Sequence, residues 1–248
     1  MFRNYGVIRE SAAQIAGAVQ RTVQSYREER IEHEPQFTDR MLGRIEEAMT
    51  DFEVKGVKWT AKTLTSQGPS SQEKPYGADF IGVLDIALDD YSVKKGFLAQ
   101  SKRVEPGGYF PKGEFERLRK QCEDMLRISS DSFVFLYSVS GVVVVPAVAI
   151  VGSAPCNPHS LYARSVSRFF EEHFECFIGD RRLHTPSIDS LMRLKDEVNA
   201  RSLLYLLAIN LYREYLEDRG IAPMAQHNNS FNPTRDSIPL KIPPRGED

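Results

Sequence analysis

The 248-residue chain is 41% hydrophobic and 27% charged, which suits one large globular domain, or one domain with a helical extension, and excludes a small scaffold that needs staples. A net charge of −2 and a pI near 6.3 exclude a general attraction to nucleic acid. A DNA-acting chain must then gather its positive charge locally, at Lys94-Lys95, Lys102-Arg103, Arg117-Arg119-Lys120 or Arg181-Arg182, or borrow it from a partner.

The longest apolar run, Val142 to Val151, contains Pro146 and falls far short of the ~20 residues needed to cross a bilayer, so no membrane partner is expected. The three cysteines, Cys122, Cys156 and Cys176, are an odd count. With no leader pattern at the start, they point to a reducing cytoplasm.

Residues 1–30 are expected to hold an N-terminal helix, with Ile15, Ala18, Val19, Thr22, Val23 and Tyr26 at helical spacing. A second helix follows around Pro35, with Phe37, Met41, Leu42, Ile45 and Met49 as its stripe. Val57 to Leu64 alternates as a strand, and Thr65 to Pro75 reads as a Gly/Pro/Ser loop. Phe80 to Leu88 and Val93 to Ala99 are strand-like runs joined by Asp89-Asp90-Tyr91-Ser92, a polar turn, so a β-hairpin is predicted.

After Pro106-Gly107-Gly108 the spacing predicts a helix over 113–128 with Cys122 on its buried stripe. Ser132 to Tyr137 and Val142 to Ala147 read as strands buried on both faces, Pro146 marking an edge or bulge. Leu161 to Phe174 reads as a helix, with Cys176 as a core residue. Cys176 to Leu183 reads as a short strand and turn. Cys156-x-x-His159 and His173-x-x-Cys176 have the spacing of a zinc site, a weak signal from which no zinc is assigned. Ile188 to Asp218 carries an unbroken helical pattern, and the Pro-rich segment 220–248 is expected to be disordered.

The hairpin carries the chemistry. If it folds about residues 90 and 91, positions whose numbers sum to about 180 lie opposite each other, and Asp79 falls beside Gln100-Ser101-Lys102. Gln100 and Lys102 share a face. Asp79 joins them if the pairing sum is odd and is turned away if it is even. A carboxylate and an amide oxygen make a hard oxygen nest for Mg²⁺ or Mn²⁺, and an adjacent ammonium can orient a water or neutralise charge on a phosphoryl transition state.

At this point the sequence resembles the PD-(D/E)xK nuclease superfamily, in which an Asp opens one strand and (D/E)xK lies in the next. Gln100-Ser101-Lys102 is similar to the QxK variant of restriction-endonuclease-like proteins of the Mrr type, and Gly77-Ala78 stand before the Asp in place of the family's Pro. The resemblance covers about residues 31–150 and implies an α/β fold with a restriction-endonuclease-like αβββαβ core, a mixed sheet flanked by helices, in a domain taken as 31–186; the helical pattern that follows is read as a C-terminal helical extension over 187–219. The resemblance also implies a metal-dependent DNA endonuclease of restriction or phage defence, with Asp79, Gln100 and Glu34 around the metal and Lys102 beside the attacking water. Glu34 fills the role of the glutamate such folds take from the preceding helix; Glu46 and Glu47 are alternatives, and complementing the helix dipole is an equal reading of Glu34.

A different class of reading keeps the fold as an inactive binding or scaffold subunit, with the long C-terminal helix as the face for a protein partner or a homodimer.

Overall fold

A computed structural model describes residues 5–31, 33–65, 78–89, 91–184 and 190–211. It is an α/β protein built on an eight-stranded mixed sheet. Helix α1 (Tyr5–Arg27) buries Val7, Ile8, Ile15, Val19 and Val23 along one stripe, and α2 (Glu34–Met49) buries Phe37, Met41, Leu42, Ile45 and Met49. Pro35 sits in the first turn of α2, where its missing N–H costs nothing, and Gln36 Oε1 accepts from the His33 amide at 3.4 Å.

The strands are β1 (Phe52–Val54), β2 (Val57–Thr65), β3 (Ala78–Ala87), β4 (Ser92–Arg103), β5 (Ser132–Ser138), β6 (Gly141–Pro146), β7 (Arg164–Ser165) and β8 (Ala200–Asn210). Their order across the sheet is β1-β2-β8-β3-β4-β5-β6-β7. β8 runs parallel to β3 and β4 runs parallel to β5; the other pairs are antiparallel. The remaining helices are α3 (Lys112–Ile128), α4 (Ala147–Gly152), α5 (Val166–Phe174) and α6 (Leu191–Glu197).

Helices α1, α2 and α5 cover one face, where Phe80, Phe97, Phe133, Phe135, Phe169 and Phe170 form a cluster of rings. Helices α3, α4 and α6 cover the other, over Ile81, Val83, Leu98, Val134, Leu136 and Leu203. Burial on both faces explains why β3, β4 and β5 read as near-continuous apolar runs. Gly82 stands opposite Phe97, and a Cβ on Gly82 would meet that ring at 2.4 Å, so the absence of a side chain makes room for the ring.

The predicted helix over Ile188 to Asp218 is not continuous: among the described residues of that span, helix α6 occupies Leu191–Glu197 and a strand occupies Ala200–Asn210. α6 ends at Glu197, Asn199 adopts a φ of 53°, and the chain then enters β8 between β2 and β3. A Leu-rich run apolar on all sides fits a helix or a doubly buried strand equally well by pattern, and pairing with two waiting edges decides for the strand. The 187–219 extension is therefore part of the central sheet over 200–210, and β2 is separated from the hairpin by β8. Residues 212–219, the tail 220–248 and the loop over 66–77 lie outside the described residues.

Three smaller expectations also change. The Leu161 to Phe174 segment is helical only from Val166, because Arg164 and Ser165 pair with β6. Cys176 is exposed, at a φ of 69° just past the end of α5. Between Cys176 and Leu183 there is a single bridge, Gly96 to Asp180, in place of a strand. The N-terminal helix lies on the domain, its apolar stripe belonging to the same core as α2 and α5.

Candidate functional site

Every β3–β4 pair, from Phe80 with Ala99 to Ala87 with Ser92, has residue numbers summing to 179. The sum is odd. Continuing the register by one step sets Asp79 opposite Gln100, on one face with Lys102. In the parallel pairing of β4 with β5, Gln100 aligns with Val134 and Lys102 with Leu136, both in the core under α3. The turn fixes this register: Leu88 and Tyr91 exchange both backbone hydrogen bonds, at 3.0 and 3.3 Å.

Asp79 Oδ2 accepts the amide hydrogen of Ser101 at 2.8 Å, which holds the carboxylate against β4. Lys102 Nζ lies 3.3 Å from Glu34 Oε1, 3.4 Å from Glu34 Oε2 and 3.6 Å from Glu114 Oε2. Glu34 Oε1 also accepts from the Arg103 amide at 3.1 Å. The first residue of α2 is thus tied to the end of β4, and α3 supplies a second acid. Glu46 and Glu47 lie twelve and thirteen residues further along α2, about 18–20 Å away by helical rise.

Gln100 is buried, and its Oε1 has no hydrogen-bond partner among the described residues. A buried amide oxygen left unpaired is costly and is the kind of atom a cation can satisfy. The donor chemistry, two carboxylates and an amide oxygen, fits a hard divalent ion. Among the described residues no three His, Cys, Asp or Glu side chains gather as a cage, so such an ion would draw its remaining ligands from water and from substrate.

Burial is the main force on Asp79 and lifts its carboxyl above the ordinary 3.8. The Ser101 amide, Arg201 and Lys102 pull it down, and Glu34 pushes it up. A helical segment would not place Arg201 at this site; the strand does. In the parallel register of β8 with β3 Arg201 comes beside Asp79, with Nη2 3.6 Å from Asp39 Oδ1. Its Nε and Nη2 are buried without hydrogen-bond partners among the described residues. Nothing short of the strand assignment would have brought Arg201 to this site from sequence.

The basic groups divide by location. Lys94 pairs with Asp85 at 2.8 Å, Lys95 is buried with Nζ 2.6 Å from the Ile178 carbonyl, and Arg182 is bound to Asp180 and the Ile128 carbonyl. Lys102, Arg103 and Arg117 lie around the site instead, Arg117 with its own bond to Glu114 at 2.8 Å. The zinc-like spacing has other uses. His159 Nε2 is 2.7 Å from the Val104 carbonyl, buried His173 faces the Ile178 carbonyl at 3.1 Å, and Cys176 Sγ contacts the Tyr91 hydroxyl at 2.6 Å. No helix among the described residues is long and apolar enough to cross a membrane.

Compared with known proteins, the chain matches no family model, no curated protein and no solved structure.

Proposed function

We propose that the chain is a metal-dependent nuclease hydrolysing phosphodiester bonds, with DNA as its substrate, on a restriction-endonuclease-like core of the PD-(D/E)xK kind. The observation that carries this reading is the odd register: carried one step past the Phe80–Ala99 pair, it sets Asp79 on the side of Gln100 and Lys102, and Glu34 meets Lys102. The chain order supports it as well: with the short β1 set aside, α2, β2, β3, β4, α3, β5 and β6 follow the helix, strand, hairpin, helix and two strands of the resemblance, with β8 entering the sheet between β2 and the hairpin.

Asp79, Glu34 and Gln100 would hold Mg²⁺ or Mn²⁺. When bound, the ion supplies Lewis acidity toward a phosphate oxygen and acidifies a water. The protein's own part is positional. Ser101 fixes the Asp79 carboxylate, and Glu34 and Glu114 hold the Lys102 ammonium where it can orient a water or meet charge developing on the phosphoryl group. Gln100 in place of an acid removes one negative charge from the nest, which weakens the hold on the ion in the absence of substrate phosphate. Restriction or phage defence is the setting suggested by analogy alone.

The test is plasmid cleavage with Mg²⁺ or Mn²⁺, comparing the wild type with Asp79→Ala and Lys102→Ala. Both variants should lose cleavage, by roughly a hundredfold or more. Cleavage that survives both substitutions removes this site. A wild type inert toward every metal and nucleic acid favours the scaffold reading, although the long helix proposed as its interface is a strand of the central sheet over 200–210.

A further inference from the structure

The turn that joins β4 to α3 holds a large aromatic side chain in the open. Tyr109 is 89% exposed, while its neighbour Phe110 packs on the core under α3. The backbone between them and β4 is braced. Asn157 Nδ2 donates to the carbonyls of Glu105 at 2.9 Å and Gly108 at 2.7 Å, the Gly108 amide closes on the Glu105 carbonyl at 3.3 Å, and His159 Nε2 meets the Val104 carbonyl at 2.7 Å. Gly107 makes the bend at a φ of 70°, open to glycine without strain. A segment remote in sequence thus spends its side chains on holding this turn in one shape.

The base of the turn is the candidate site. Lys102 at the end of β4 and Glu114 in the first turn of α3 lie 3.6 Å apart, so Tyr109 stands on a loop closed by two residues of that site. The exposed cations Arg103 and Lys112 flank the loop on either side. An exposed ring on a braced turn, with a cation at either end of the loop, is a combination that can grip single-stranded nucleic acid, phosphates on the cations and a base on the ring. In an intact duplex the bases are stacked on one another and offer a ring no face.

We propose that Tyr109 is a stacking platform for an unpaired nucleobase next to the phosphate at the site, so that the substrate class is nucleic acid that is single-stranded or locally unpaired. This rests on the nuclease reading for the identity of the site, but binding tests it without cleavage. The probe is a short oligodeoxynucleotide carrying a fluorescent aminopurine, single-stranded or in duplex, titrated with the full chain in the absence of divalent metal. Stacking on Tyr109 quenches the single strand and leaves the duplex unchanged. Tyr109→Phe keeps the quench; Tyr109→Leu abolishes it and weakens binding by about tenfold.

Tyr109→Leu that binds and quenches like the wild type overturns the proposal, as does a wild type that binds no single strand or binds duplex equally well. The two readings fail separately. Quenching that depends on residue 109 in a protein that never cuts leaves the platform and removes the hydrolysis, while duplex cleavage indifferent to residue 109 does the reverse.

Discussion

Lys102 on β4 holds Glu34 at the start of α2, with Nζ 3.3 Å from one carboxylate oxygen and 3.4 Å from the other. The same carboxylate takes the Arg103 amide hydrogen at 3.1 Å. Glu34 is therefore both a fastening between helix and sheet and a charge at the site, and Glu34→Gln separates the two. The glutamine keeps an oxygen for the Arg103 amide and loses the charge. Mn²⁺ affinity measured by calorimetry should fall by roughly tenfold or more, with the melting temperature little changed. An unchanged affinity would leave Glu34 as a fastening only.

Asp79 sets a pH dependence whose sign is fixed by burial. Its carboxyl is raised above 3.8 in the folded protein, so the folded chain keeps this proton at a pH where the unfolded chain has released it. The resulting stability is complete below the unfolded value and is lost as pH rises through the folded one. Asp79→Asn should accordingly raise the melting temperature at neutral pH, with the gain vanishing in acid where the carboxyl is protonated in both states. In an Arg201→Ala background, which removes a charge that lowers Asp79, the gain from Asp79→Asn should be larger in the metal-free protein.

Two glycines at the centre of the hairpin have no room for a methyl group. A Cβ on Gly96 would lie 2.5 Å from the Leu183 carbonyl and 2.7 Å from the Gly82 carbonyl, both backbone atoms, whereas the nearest atoms to a Cβ on Gly82 belong to the Phe97 ring. Gly96→Ala should cost about 3 kcal/mol or more and Gly82→Ala about 1–3 kcal/mol by denaturant titration. Phe97→Leu, by removing the ring edge, should relieve part of the Gly82→Ala cost in a double-mutant cycle. Purely additive losses would show that the ring is not what Gly82 accommodates.

The thiols should react in order of burial. Burial, with a smaller push from Glu123, drives the Cys122 thiol up to about 12, and the side chain is wholly enclosed under α3. Cys176 is exposed and Cys156 half-buried. A chromogenic disulfide reagent near pH 8 should label Cys176 first, Cys156 more slowly and Cys122 only on global unfolding. Native-state labelling of Cys122 at the rate of Cys176 would contradict the packing of α3.

The hairpin could be read from residues because Asp89-Asp90-Tyr91-Ser92 interrupts two apolar runs, and turn chemistry is local. Which side Asp79 takes was not readable, since both parities satisfy the same pattern and the hydrogen bonds between Leu88 and Tyr91 choose between them. β8 was lost for the opposite reason. Leu203 to Ile209 has no alternation to betray a strand, and its partners β2 and β3 are far away in sequence. The one local sign was Asn199, of a residue type that tolerates a positive φ and so can end a helix. Cys176 likewise follows a helix at a positive φ, which turns a nominally apolar position out to solvent.

The strand that joins β2 to the rest of the sheet is also the last of the described strands to be synthesised. Until residue 210 has cleared the ribosome, β2 and β3 each present an unpaired edge, and β3 is a strand of almost continuous apolar character. Closing them requires contacts across more than a hundred residues of sequence. The contact order of the sheet is correspondingly high, which makes folding slow and late and leaves the nascent chain dependent on shielding from its neighbours while it waits.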